Sequence, residues 1–222
     1  MARGSVLREV QRTFVMVCTG ELLMGLHEKF DDGVKYLESL GFNDVYHSKR
    51  TFFDHLVSTG SLLREWGCPE PVYLAGLFHA IYETESFRLK NARALTREAV
   101  RNVVGSDAEN IAWLYGIATS KSLWNQLALL SAPTSSRSKH LLAHRVTGED
   151  VPCERSELLV LANITLANAL DQAYHLPQRY DVDKLSTFQF LLAYVPPRGV
   201  KAFEELFGYR LASQRSKRYG SS

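Results

Sequence analysis

Three polar residues stand where apolar ones belong. His55 follows Phe52 by three and precedes Leu56 and Thr59 by one and four; His79 follows Ala75 by four and Val72 by seven; Asp171 follows Asn168 by three and Ile164 by seven. On helices of about 3.6 residues per turn, these steps put each residue on or beside the stripe that faces the core. A histidine or carboxylate there has to be hydrogen-bonded, paired or bound to a metal, because burial without a partner is costly. Two neutral imidazoles and one carboxylate on three helices suit a single divalent ion such as iron, manganese or zinc. The competing reading is three satisfied core residues, with Asp171 in a salt bridge or capping a neighbouring helix.

The elements that must carry them are helical. "ELLMGLHEKFDDGVKYLESLG" repeats apolar residues at steps of three or four from Leu22 to Leu40, and Gly41 stops it. "TFFDHLVSTGSLLREWG" does the same from Phe52 to Trp66 and ends at Gly67. Pro69 and Pro71 suit the first turn of the next helix, which is expected to present Val72, Ala75, Gly76 and His79 on one face. Thr96 opens a further helix as a cap. Residues 106–132 read as one or two helices, 134–138 as a loop, and Thr147-Gly148 as the tip of a short hairpin. "ERSELLVLANITLANALDQAYHLP" is a long helix ended by Pro177, with two short helices after it. Trp66, Trp113, Trp124 and Phe188 read as core. The expected fold is an all-α single domain of about eight helices over residues 1–209.

His55, then "LAGLFHA", then "LANALDQ" resembles the HD-domain superfamily of metal-dependent phosphohydrolases and oxygenases. More narrowly, "HSKRTFFDHL" and "YLAGLFHAIYETESF" are similar to an uncharacterised HD-related family that often has Tyr-Gly-Thr-Glu where this chain has "YETE". The resemblance implies His55 and His79 as the two histidine ligands and Asp171 as the distant aspartate. It departs at Ala80, where the superfamily has an aspartate that bridges two metals in its dinuclear members. The extra histidines of the dinuclear oxygenases are missing too, since residues 88–139 contain none. One ion rather than two is therefore expected. Glu83, four after His79, shares its face if the helix continues; Glu85 reaches back if the chain turns after Tyr82. Either completes the metal shell or serves as general base on a bound water. Both also read as solvated charges beyond a helix end. His47 and Arg50 sit at the mouth of the first ligand helix if it starts near Ser48, and with Tyr82 they are the candidate substrate contacts.

The rest of the composition narrows the classes. Hydrophobic content is 45% and charged content 23%, enough apolar material for a sizeable core. Arg210, Arg215, Lys217 and Arg218 fall in the last thirteen residues, and removing those four charges from the formal +2 leaves the body at −2. That placement argues against nucleic acid and for a basic, disordered tail over residues 210–222. Three scattered cysteines make neither a zinc knuckle nor a disulfide framework, so reduced thiols and a cytoplasmic location are expected. No apolar run approaches a membrane span, and no signal peptide is evident.

The leading expectation is a metal-dependent hydrolase of a small molecule, such as a phosphate ester. The alternatives are a non-haem iron oxygenase on the same fold, and a degenerate small-molecule or protein-binding module.

Overall fold

The computed structural model describes residues 20–47, 49–85, 95–130 and 139–219. Its helices are α1 Gly20–Ser39, α2 Phe52–Glu65, α3 Glu70–Leu77, α4 Arg97–Val104, α5 Ser106–Ile117, α6 Ser120–Leu129, α7 Arg155–His175, α8 Val182–Ser186 and α9 Pro197–Tyr219. Two 3-10 helices, Phe42–Asp44 and Gln189–Tyr194, and two antiparallel two-stranded ladders complete it: β1 Tyr46–His47 with β2 Arg50–Thr51, and β3 Lys139–Ala143 with β4 Asp150–Glu154. The architecture is thus all-α, with nine α-helices among the described residues where about eight were expected. The hairpin read at Thr147-Gly148 is real and longer than expected, and Gly148 supplies the left-handed residue at its turn. The loop expected at 134–138 and Ser48 lie outside the described residues.

Helix α7 is the axis of the molecule. Leu158, Leu161, Ala162, Ile164, Leu166, Ala167 and Leu170 are all fully buried, so the helix is apolar nearly all round and must be surrounded. Helices α2, α3, α5 and α6 pack against it. Helices α2 and α3 form the closest pair. A Cβ at Gly60 would lie 2.9 Å from Leu77 Cβ and 3.1 Å from Leu77 Cα, and one at Gly76 would lie 2.2 Å from Leu63 Cδ1. Only bare backbone lets the two helices approach so nearly. That approach sets His55, one turn before Gly60, beside His79, just after Gly76.

Three expectations about the elements change. Helix α2 begins at Phe52, not near Ser48, because the Thr51 side chain caps it by accepting the Asp54 N–H at 3.0 Å. Tyr46–His47 and Arg50–Thr51 form a small ladder instead. Helix α3 ends at Leu77, so His79 lies in the turn that follows it rather than on its face. Helix α9 runs through the boundary expected at residue 209. Arg210 Nη2 donates to Ala173 O at 2.7 Å, next to the C-terminus of α7, so Arg210 belongs to the folded body.

Candidate active site

His55 Nδ1 donates to Asp171 Oδ2 at 2.6 Å. Arg50 Nη2 bonds the same carboxylate oxygen and lies 3.3 Å from the His55 nitrogen. His79 stands against them: its ring centroid is 5.0 Å from that of His55, nearly perpendicular. His55, His79 and Asp171 are all buried, so the structure brings together the three residues singled out by spacing.

The tautomers follow from the partners. A backbone carbonyl only accepts, so His79 Nδ1, 2.7 Å from Gly76 O, carries a proton. An ionised carboxylate only accepts as well, so His55 Nδ1 carries one too. In each neutral ring the basic lone pair is then on Nε2. Burial works to raise the Asp171 pKa, but hydrogen bonds from His55 and Ser58, with the Arg50 charge, outweigh it and hold the carboxyl below its ordinary value. Asp171 therefore stays ionised at neutral pH.

Both rings line a cavity of about 360 Å³. Its walls are Phe52, Ala80, Tyr115, Ala118, Leu123, Trp124, Ala169, Tyr180 and Phe188, with polar groups from Thr165, Asn168 and Gln172. Ser120, Glu85, Thr84 and Lys184 complete the lining. Trp124 and Phe188 pack edge to face with centroids 5.1 Å apart, so these expected core residues also form a wall.

The remaining candidates divide. Glu85 borders the cavity, but its Oε2 accepts the Ser120 N–H at 2.8 Å at the start of α6, and hydrogen bonds from the Ser120 side chain and N–H lower its pKa. Glu83 does not line the cavity: α3 does not continue, Glu83 adopts a left-handed φ of 65°, and Arg145 Nη2 lies 3.4 Å from its carboxylate. Tyr82 does not line the cavity either. Its hydroxyl donates at 2.9 Å to Glu109, a buried acid that Arg97 and Arg101 also bind. Arg145 Nη2 donates to Tyr82 O at 3.0 Å, so these bonds fasten the turn that holds His79. Arg50 is not at a helix mouth but on Asp171. His47 lies on β1, and its side chain is outside the described residues.

The donor set does not suit the divalent ion that the resemblance implies. Asp171 Oδ2 already carries a guanidinium and an imidazole N–H, and a second cation at that carboxylate would be repelled by Arg50. Position 80 offers only a methyl group, and Glu83 and Glu85 have other partners. Asp171 Oδ1 is buried without a hydrogen-bond partner among the described residues, leaving one bare oxygen. Among the described residues no three His, Cys, Asp or Glu are placed to hold a metal ion.

Tyr115, Thr165, Gln172, Tyr180 and Lys184 were missed by spacing. Thr165, Asn168 and Gln172 lie at steps of three and four along an otherwise buried helix, a signal that was available.

A family model described as a domain of unknown function (DUF6817) matches residues 36–119. The match includes His55, His79 and Tyr115 but stops before Asp171. No curated protein and no solved structure matches the chain. No helix among the described residues is long and apolar enough to cross a membrane.

Proposed function

We propose that the chain is a hydrolase of a small molecule, built on an HD-like helical fold, in which His55 is the general base. The observation that carries this reading is the Asp171–His55 pair, with His55 at the wall of a half-open cavity. Asp171 fixes the ring with its proton on Nδ1, so proton transfer with a bound molecule runs through Nε2. His55 takes a proton from water. The water oxygen attacks the electrophilic carbon or phosphorus, the bond to the leaving group breaks, and the imidazolium returns the proton to that group. Asp171 stabilises the imidazolium in between, and Arg50 keeps Asp171 ionised. His79, locked by Gly76 O, offers Nε2 to orient the water. The resemblance to HD-type hydrolases supports the reaction class, with an amino-acid base in place of the metal.

The test is turnover of a panel of p-nitrophenyl esters and phosphates by the full chain in excess chelator. Activity should persist, and His55→Asn should lower kcat about 100-fold or more. Activity abolished by the chelator and restored by iron, manganese or zinc would instead favour the metal-dependent alternatives. Absence of turnover with every substrate would favour a binding module.

A further inference from the structure

The hydrogen bonds along the cavity floor run in one direction. The Tyr180 hydroxyl donates to Gln172 Oε1 at 3.0 Å, Gln172 Nε2 to Asn168 Oδ1 at 2.9 Å, and Asn168 Nδ2 to the Tyr115 hydroxyl oxygen at 3.0 Å. Tyr115 ends the chain as an acceptor, so its own proton has to be given to something else. Thr165 stands beside it, within hydrogen-bonding reach of its hydroxyl. Thr165 is only 7% exposed, lines the cavity, and its Oγ1 is buried without a hydrogen-bond partner among the described residues. Two hydroxyls thus meet on the lining of the cavity. The His79 ring is 5.3 Å from that of Tyr115, which puts them next to the proposed reaction centre.

If the two hydroxyls bond each other, one proton is still left without an acceptor, which is costly for a buried group, and an oxygen arriving from the cavity would take it. Donation into the Tyr115 oxygen makes its O–H a stronger donor. The walls also include the aromatic rings of Trp124, Phe188 and Phe52. Lys184 Nζ lies 5.7 Å from the Phe188 ring centroid and adds positive charge at the rim.

We propose that the cavity takes a flat, ring-bearing small molecule, and that Tyr115, with Thr165, donates hydrogen bonds to an oxygen of that molecule that is negative or becomes so during reaction. The proposal rests on the cavity being the active site and names the substrate class and the oxyanion donors. Burial, the main cause, pushes the Tyr115 phenol up to about 12, so it keeps its proton for donation.

p-Nitrophenolate, a coloured ring-bearing oxyanion, tests this by titration of the full chain, read by absorbance and calorimetry. Wild type should bind it saturably at one site, with a shifted absorption maximum. Tyr115→Phe should weaken binding about tenfold or more and abolish the shift. Asn168→Leu and Thr165→Val should act in the same direction, and they carry the test if Tyr115→Phe melts early by circular dichroism. Trp124→Ala should weaken binding while keeping the shift. Absence of saturable wild-type binding would overturn the proposal. So would hydroxyl-free variants that bind as tightly with the same spectrum. No turnover enters the titration, so its failure leaves the His55 reading standing, and failure of that reading leaves the titration interpretable.

Discussion

Protonating Asp171 would remove the negative charge with which Arg50 and His55 both pair. Its folded pKa lies below the ordinary aspartate value of 3.8, so its stabilisation is full above that value. The stabilisation is lost as pH falls through the folded pKa. The stability gap between wild type and Asp171→Asn should therefore be widest near neutrality and close in acid below pH 3.8, measured by urea unfolding across pH. Near neutrality the gap should be about 3 kcal/mol, because the substitution leaves a largely buried guanidinium without its counter-charge. Asp171 was legible in the sequence because a carboxylate on a core-facing stripe demands a partner. Arg50 was legible as a site residue but not in its role: placed in an assumed helix, it pointed at a mouth, whereas the Thr51 cap starts the helix later. Tyr115 carried no signal of its own, since tyrosine is ordinary on a half-buried helix, and Thr165 had only its spacing to Asn168 and Gln172.

The two histidines come together because α2 and α3 cross backbone to backbone at Gly60 and Gly76. Gly60→Ala should cost about 2 kcal/mol. Its new methyl would meet the Leu77 backbone at 3.1 Å, which cannot rotate away. The midpoint of chemical unfolding should fall accordingly; an unchanged midpoint would mean that the helices are not in contact there. At the other end of the molecule, truncation after Tyr209 should lower the melting temperature by about 3–6 °C. It removes the charge-assisted bond from Arg210 to Ala173 O, worth about 1.5 kcal/mol, in a chain of this size. Composition alone hid this contact. The cluster of basic residues with serine and glycine reads as a solvated tail, yet the helix begun at Pro197 runs on through it. Helix periods and stops such as Gly41 and Gly67 were plain in the sequence. The end of α3 was not, because the apolar run continues to Ile81 while the backbone turns at Phe78.

The matched segment, residues 36–119, supplies one side of the site; α7 supplies Asp171, Thr165, Asn168 and Gln172, and Phe188 follows α8. A fragment holding only residues 36–119 lacks the helix around which the others pack. It should show no cooperative thermal transition, and a sharp transition would mean that the segment is a domain in its own right. The account of the whole molecule turns on whether His55 and His79 form an acid–base pair held by Asp171 and Gly76, or an ion site. The ring nitrogens report this directly by ¹⁵N NMR of the full chain, first in chelator and then with one equivalent of zinc. The predicted result is the neutral tautomer with its proton on Nδ1 at both His55 and His79, with Nε2 signals that zinc leaves in place. Stoichiometric displacement of both Nε2 signals by zinc would contradict the account.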